Sequence, residues 1–339
     1  MKDLVEKILS GATLSEPEAT RLLGQLTSDD LDPVMASAAL AGLRTRGETA
    51  DELRAFARGL QEIAIRPEID DVSGAVDVVG TGGDASDSLN LSTGAALLAA
   101  AAGARVIKHG NRSVSSRSGS FDVLGALGLD VPWDATAAGE RFRDHGFTYL
   151  FAPAFHPAMK TVAPVRQTMG TRTIFNLVGP LANPARTPYL VVGAFSPEAA
   201  RMMAETLAGM DIQHAYVVHG EPGWDEPTPV GPYLLFDVTP GAVVETTEDP
   251  ADLGIERCAP ESLRGSDAVS NAAAIRRVFA GEAGPHRDAL VLGASLALRV
   301  TGVSASDSLT RPARAIEDGS ATALLEALAA KDDSGSGDV

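Results

Sequence analysis

Cysteine is nearly absent: Cys258 is the only one in 339 residues. A disulfide framework within the chain is therefore excluded, as is a thiolate zinc cluster, and a reducing, cytoplasmic setting is expected. Positive charge is in deficit, with 28 Lys and Arg against 45 Asp and Glu and a formal net charge of −17. That balance argues against nonspecific binding of nucleic acid, because a polyanion is held by clustered basic groups. Long apolar runs are also lacking. The longest, around residues 94–104, is small and alanine-rich, and it falls short of the roughly 20 residues a membrane span needs. The N-terminus, MKDLVEKILSG, mixes charges with apolar residues at helical spacing. It lacks the apolar stretch and cleavage site of a signal peptide. No G-x-x-x-x-G-K-[ST] occurs, so a Walker A loop is excluded.

What the chain does have is enough apolar content, 45%, to bury a core. Its first 65 residues read as helices. Leu4, Val5, Ile8 and Leu9 share one face. Ser15 with Glu18, and Thr49 with Glu52, make capping-box patterns, and Pro33 can open a further helix. Near residue 75 the pattern changes. Residues 75–79 form a β-branched run, 92–102 a helix, and 105–107 a second strand followed by a loop from Lys108. Residues 189–195 and 215–218 read as buried strands around a helix at 197–207, and 232–247 as a polar hairpin. Residues 271–328 are helical again, and the Gly-, Ser- and Asp-rich tail, 332–339, is expected to be disordered. Strands alternating with helices predict an α/β domain with a largely parallel sheet, beside a separate helical domain.

Four segments carry chemistry. The first, VDVVGTGGDASDSLNLST at 76–93, runs a strand into glycines and then a helix. Glycines bring backbone N–H groups close to an anion, and the helix N-terminus adds partial positive charge. The segment predicts a turn that holds a phosphorylated small molecule, with Ser92 able to ligate a hard cation such as magnesium. An ordinary capped strand-to-helix turn fits the glycines equally well. Gly80, Gly82 and Ala85 also satisfy G-x-G-x-x-A, but Asp84 would repel a dinucleotide pyrophosphate, and no acidic residue ends the next strand. The second, KHGNRSVSSRSGS at 108–120, concentrates Lys108, Arg112 and Arg117 with serines in an acidic chain, and Arg105 lies just upstream. Lys108 is placed to neutralise a phosphate there. A solvated basic loop is the alternative. The third, 156–185, combines His156, Lys160, Arg166 and Arg172; an arginine there can clamp a carboxylate, or pair with the acidic surface. The fourth, Asp225 with Glu226, suits Mg²⁺, although an acidic pair is more often surface charge.

Together these segments resemble anthranilate phosphoribosyltransferases. The carriers are GTGGD at 80–84, NLST at 90–93, KHGNRSVSS at 108–116, HPAMK at 156–160, PVRQTMGTRTIFN at 164–176, GPLANP at 179–184 and the Asp225–Glu226 pair. The resemblance runs to about residue 330. It implies the glycosyltransferase family 3 fold shared with nucleoside phosphorylases: a helical domain at 1–68 plus about 166–181, and an α/β domain at 69–165 and 182–331. It implies transfer of phosphoribose from 5-phosphoribosyl 1-pyrophosphate to anthranilate, a cytoplasmic homodimer, two Mg²⁺ ions, and neither a nucleic acid nor a membrane partner. By position, the donor site would comprise Gly80, Gly83, Asp84, Ser88, Asn90, Leu91, Ser92, Thr93 and Ser120. To these the second segment adds Lys108, His109, Gly110, Asn111, Arg112, Ser113, Val114, Ser115 and Ser116. Anthranilate would meet Gly80, Asn111, Arg166, His109 and His156. Ser92 would ligate one metal, and Asp225 with Glu226 the other. Lys108 is the expected electrostatic catalyst, and no general base is assigned. Three departures from the family pattern stand out: Phe121 where a small residue is usual, the 227–229 loop Pro-Thr-Pro, and Gly293 where asparagine is common.

Overall fold

The computed structural model describes residues 1–84, 86–112 and 118–330. Ala85, Ser113, Val114, Ser115, Ser116, Arg117 and the expected disordered tail lie outside the described residues.

Four helices open the chain: α1 (Lys2–Leu9), α2 (Glu16–Leu26), α3 (Pro33–Arg46) and α4 (Ala50–Ile63). Both expected capping boxes form. Glu18 accepts from the Ser15 N–H at 2.8 Å and Glu52 from the Thr49 N–H at 3.0 Å, satisfying donors that a helix start leaves unpaired. Glu52 is fully buried, and it also accepts from Arg46 and from the Leu14 N–H, so one carboxylate ties three helix ends together.

There follow β1 (Ala75–Gly80), α5 (Leu91–Ala101), β2 (Arg105–Gly110), α6 (Ser120–Ala126), α7 (Ala135–His145) and β3 (Phe147–Phe151). The middle of the chain has α8 (Ala152–Phe155), α9 (Ala163–Met169), α10 (Phe175–Val178), β4 (Tyr189–Gly193), α11 (Pro197–Ala208) and β5 (His214–Gly220). The last part has β6 (Tyr233–Thr239), β7 (Ala242–Glu248), α12 (Ala268–Phe279), α13 (Pro285–Val300), α14 (Ala305–Glu317) and α15 (Ser320–Ala329). Among the described residues, no helix is long and apolar enough to cross a membrane.

The strands form one sheet in the order β3-β2-β1-β4-β5-β6-β7. The first five are parallel; β6 and β7 add an antiparallel hairpin. The order reverses between β1 and β4, and in such sheets a crevice opens there beyond the strands' carboxyl ends. One face packs on α5 and α13, with α12, α14 and α15 joining the same core around them and Val76, Leu97, Leu290 and Leu296 inside it. The other face packs on α11, and this core runs on into the opening helices. Residues 162–182 join the same core: the Phe175 ring meets the Phe56 ring edge-on at 5.8 Å.

Two expectations need correction. β2 does not end at Ile107; Lys108 and His109 are interior strand residues, paired with Tyr149 and Leu150 of β3. The second is Arg105, which starts β2 and bonds Asp71 at 2.7 Å, at the opposite end of the strand from the crevice. It therefore takes no part in the basic cluster. The strand β3, FTYLF, is buried along its whole length and was not anticipated. A continuous apolar run of five residues has no period that separates strand from helix.

Candidate functional site

The crevice is built by close backbone approaches. Asp225 and Glu226 lie on the loop after β5, and three glycines let that loop press onto the strand ends. A β-carbon on Gly80 would fall 2.5 Å from Asp225 Oδ2, one on Gly193 would fall 1.6 Å from the Asp225 carbonyl oxygen, and one on Gly220 would fall 2.2 Å from the Glu226 carbonyl oxygen. At Gly193 and Gly220 the obstacle is backbone, so no L side chain fits without moving the loop; at Gly80 it is the Asp225 carboxylate. A tight turn, in which the Trp224 N–H donates to the Gly220 carbonyl at 2.9 Å, starts the loop and buries the Trp224 ring.

The two carboxylates reach in opposite directions. Asp225 Oδ2 accepts from the Gly82 N–H at 2.6 Å and from the Thr81 hydroxyl at 3.3 Å, gripping the glycine turn. Glu226 Oε1 accepts from the Ser92 N–H at 2.7 Å, at the first turn of α5. Asp84 closes the ring by accepting from the Asp225 N–H at 3.3 Å. Burial first, then the Asp84 charge, pushes the Asp225 carboxyl up to about 7. Burial and both neighbouring acids raise Glu226 well above the usual range. The cluster lacks positive charge. Among the described residues no group of three or more His, Cys, Asp or Glu side chains forms a ready cage for a metal. What is present is hard oxygen donors on one side only. That set fits a magnesium ion completed by water and phosphate oxygens.

Lys108 supplies part of the missing charge from behind. It is only 2% exposed, and its ammonium donates to the Val78 carbonyl. Burial lowers its pKa, while Asp77, Glu226 and Asp225 oppose that shift. It stands beneath the carboxylates and not in the loop that follows β2. Asp77, fully buried on β1, accepts from the His109 N–H at 3.1 Å and from Asn183 Nδ2 at 2.8 Å. Burial pushes its carboxyl up to about 6, against the pull of Lys108. Neither Asp77 nor Asn183 was assigned a role from sequence. A carboxylate inside the β-branched run AVDVV was the available signal for Asp77.

Asn90 is used as a tie. Its side chain donates to the Ser118 carbonyl at 3.1 Å and accepts from Asn271 Nδ2 at 2.8 Å, joining the exit of the glycine turn to the end of the second segment. Ser88 forms a bridge with Arg264, and Leu91 and Thr93 are buried in α5. The Thr93 hydroxyl has no hydrogen-bond partner among the described residues. Ser120 donates to the Asn111 carbonyl at 3.2 Å and meets the Tyr149 hydroxyl at 2.8 Å. Gly110 is required there, since its β-carbon would fall 2.6 Å from Ser120 Oγ. Asn111 and Arg112 are exposed. Gly83 and Asp84 sit on the turn itself, and the Gly83 carbonyl accepts from Arg172.

His109 and His156 are brought together, rings 5.1 Å apart and edge to face. Both are buried, and burial lowers both pKa values, that of His156 to about 4. Both are therefore neutral at pH 7. Among the described residues His109 Nε2 and both ring nitrogens of His156 make no hydrogen bond of ordinary geometry, although the backbones of Gly179 and Ala182 lie near enough to oppose the effect of burial; polar capacity is left for a ligand. Arg166, on α9, lays its guanidinium over the Phe175 ring at 5.1 Å. No hydrogen bond joins it to Gly80 or Asn111 among the described residues. Of the departures, Gly293 lets α13 close on α5, where a β-carbon would fall 2.8 Å from that of Ala95. In the 227–229 loop, Thr228 is buried and its hydroxyl accepts from the Val230 N–H at 3.3 Å.

The geometry agrees with what the chain is similar to. Residues 2–64 match the family described as glycosyl transferase family, helical bundle domain, and residues 73–322 match its a/b domain. The anthranilate phosphoribosyltransferase of Methylobacterium nodulans is 41% identical over 331 residues, 97% of this chain and 98% of the relative. That of Azorhizobium caulinodans is 42% identical, covering 97% and 95%. The crystal structure of anthranilate phosphoribosyltransferase from Thermus thermophilus superimposes with a TM-score of 0.90 at 40% identity, over 96% of this chain and 98% of that one. The Saccharomyces cerevisiae enzyme, in complex with PRPP and Mg, shares the fold with a TM-score of 0.86 at 24% identity, over 96% and 95% of the two chains.

Proposed function

The chain belongs to the anthranilate phosphoribosyltransferases of the glycosyl transferase family, and on that premise we propose how its own residues share the reaction. The enzyme transfers the 5-phosphoribosyl group from 5-phosphoribosyl 1-pyrophosphate to anthranilate, giving N-(5-phosphoribosyl)anthranilate and pyrophosphate in tryptophan biosynthesis.

The observation that carries the site assignment is the loop of Asp225 and Glu226, hydrogen-bonded at once to the glycine turn and to the start of α5. Breaking the bond from C1 to pyrophosphate builds positive charge on the ribose and negative charge on the leaving group. The glycine turn at 80–84, residues 88–93, the stretch from Lys108 through Ser116, and Ser120 hold the donor. Backbone N–H groups at the turn and at the α5 N-terminus meet its phosphates. Ser92, and the Asp225–Glu226 pair, would hold two magnesium ions. When bound, the ions neutralise the pyrophosphate. Lys108 adds positive charge beside the acids and opposes the burial that raises Glu226.

The acceptor is an aromatic amine and already a nucleophile, so no strong general base is needed. Gly80, Asn111, His109 and His156 border it, the neutral imidazoles offering hydrogen bonds without competing charge. Arg166 faces its carboxylate. Orientation of the amine against C1 supplies much of the acceleration.

Residues 1–68 with about 166–181 form the helical domain, and 69–165 with 182–331 the α/β domain. The protein is a homodimer through the helical domain. Leu9 and Val34 are apolar side chains left exposed on that domain, 62% and 76%. The deciding experiment follows anthranilate fluorescence in purified protein. Loss of signal only with both 5-phosphoribosyl 1-pyrophosphate and Mg²⁺ supports the reading; no turnover at millimolar substrates overturns it.

A further inference from the structure

Phe121 departs from the family pattern, and the structure shows what it touches. The Arg112 guanidinium lies over the Phe121 ring at 4.7 Å and over the Phe151 ring at 5.8 Å. Phe121 in turn packs against Phe151, with ring centroids 4.2 Å apart, and meets the Trp133 ring edge-on at 5.5 Å. Trp133 closes the triangle on Phe151 at 5.2 Å. The three rings come from the start of α6, the end of β3 and the segment before α7, so each fixes the others. The backbone repeats the connection: the Phe121 N–H reaches the Asn111 carbonyl at 3.5 Å, and Asn111 Oδ1 accepts from the Arg112 N–H at 2.7 Å. On the other side, Asp122 stands 4.0 Å from Arg112 Nε.

A guanidinium at the rim of a loop samples many rotamers, and ordering it on binding costs entropy. An aromatic face removes much of that freedom, because a cation rests over the ring's negative quadrupole. A small residue at position 121 leaves nothing for the guanidinium to rest on at that point.

We propose that Phe121 is a positioning residue for the donor: it holds the Arg112 guanidinium over an aromatic platform, set for the phosphates of 5-phosphoribosyl 1-pyrophosphate. The inference rests on the assignment of Arg112 to the donor site. Phe121 itself contacts no substrate, so its effect passes through Arg112 and concerns donor affinity rather than the chemical step.

The test is a double-mutant cycle on the full-length protein, with Phe121→Ala, Phe121→Tyr, Arg112→Ala and the Phe121→Ala, Arg112→Ala pair. KM for the donor, KM for anthranilate and kcat are measured with Mg²⁺ saturating, and donor Kd by calorimetry. Phe121→Ala is expected to raise donor KM and Kd by about two- to fivefold, the range of one exposed cation–ring contact. Anthranilate KM and kcat stay within about twofold. Phe121→Tyr restores donor affinity, and Phe121→Ala adds nothing once Arg112 is gone. If Arg112→Ala leaves donor affinity unchanged, the assignment of Arg112 fails. If Arg112→Ala weakens the donor but Phe121→Ala does not, the positioning role is overturned. The same holds if Phe121→Ala tightens the donor, or still acts without Arg112.

Discussion

The carbonyl oxygen of Asp225 occupies the space that a side chain on Gly193 would fill, 1.6 Å from the position of its β-carbon. Gly193 ends β4 and has no side chain, yet it decides where the acidic pair lies. Gly193→Ala is expected to push the loop outward. It should lower kcat/KM by at least about 100-fold through misplacement alone and cost more than about 2 kcal/mol of stability. Steady-state kinetics beside chemical denaturation check both.

Asp225 is buried beside Asp84, and burial and that neighbour together push its carboxyl up to about 7, an arrangement that favours function at the expense of the empty fold. Asp225→Asn keeps the oxygen that accepts from Gly82 and removes the repulsion. The expected outcome is an apo-protein more stable by the order of 1 kcal/mol at pH 8, with kcat/KM lowered by about 100-fold or more. Thermal unfolding with and without Mg²⁺ adds a second reading: the metal-dependent rise in Tm shrinks in the variant.

Asp77 gives a pH signature. Its pKa is raised from 3.8 to about 6, so between these values the folded state binds the extra proton and the unfolded state has lost it. Stability from this group is therefore present below about pH 4 and falls as pH rises to about 6, by the order of 2–3 kcal/mol. Asp77→Asn removes this slope. Urea midpoints of the two proteins from pH 4.5 to 6.5 should converge or cross along that window; parallel curves would refute the titration.

Arg166 lies over Phe175 without a carboxylate partner among the described residues. Arg166→Ala is expected to raise KM for anthranilate about tenfold or more and leave donor KM unchanged. Arg166→Lys should not restore it, because an ammonium lacks the planar fork that grips a carboxylate. Equal KM values for anthranilate across the three proteins would remove the arginine from the acceptor site.

Much of the fold was legible because it rests on local rules. The capping boxes at Ser15 and Thr49, the proline opening α3 and the β-branched strand at 75–79 each declare themselves within a few residues. The site was legible as motifs, since GTGGD and the Asp225–Glu226 pair are compact in sequence. Their mutual geometry was not. Nothing near Gly80 or Gly193 says that a loop many residues away will press on them. Lys108 read as a loop cation because the strand continues through a charged residue, and only the buried partners Asp77 and Val78 make that tolerable. The long-range ties of Asn183 to Asp77 and of Asn271 to Asn90 join segments far apart in sequence, and no local pattern encodes them.

The aromatic triangle and the acidic loop each contain one of the chain's two tryptophans, Trp133 and Trp224. Trp133 is 57% exposed beside Arg112's platform, whereas Trp224 is 6% exposed and adjoins Asp225. The two fluorophores thus differ in emission colour and in quencher access, one reading the basic loop and the other the acidic loop. With either indole replaced by phenylalanine, stopped-flow emission from the survivor resolves which side of the crevice responds first when donor arrives.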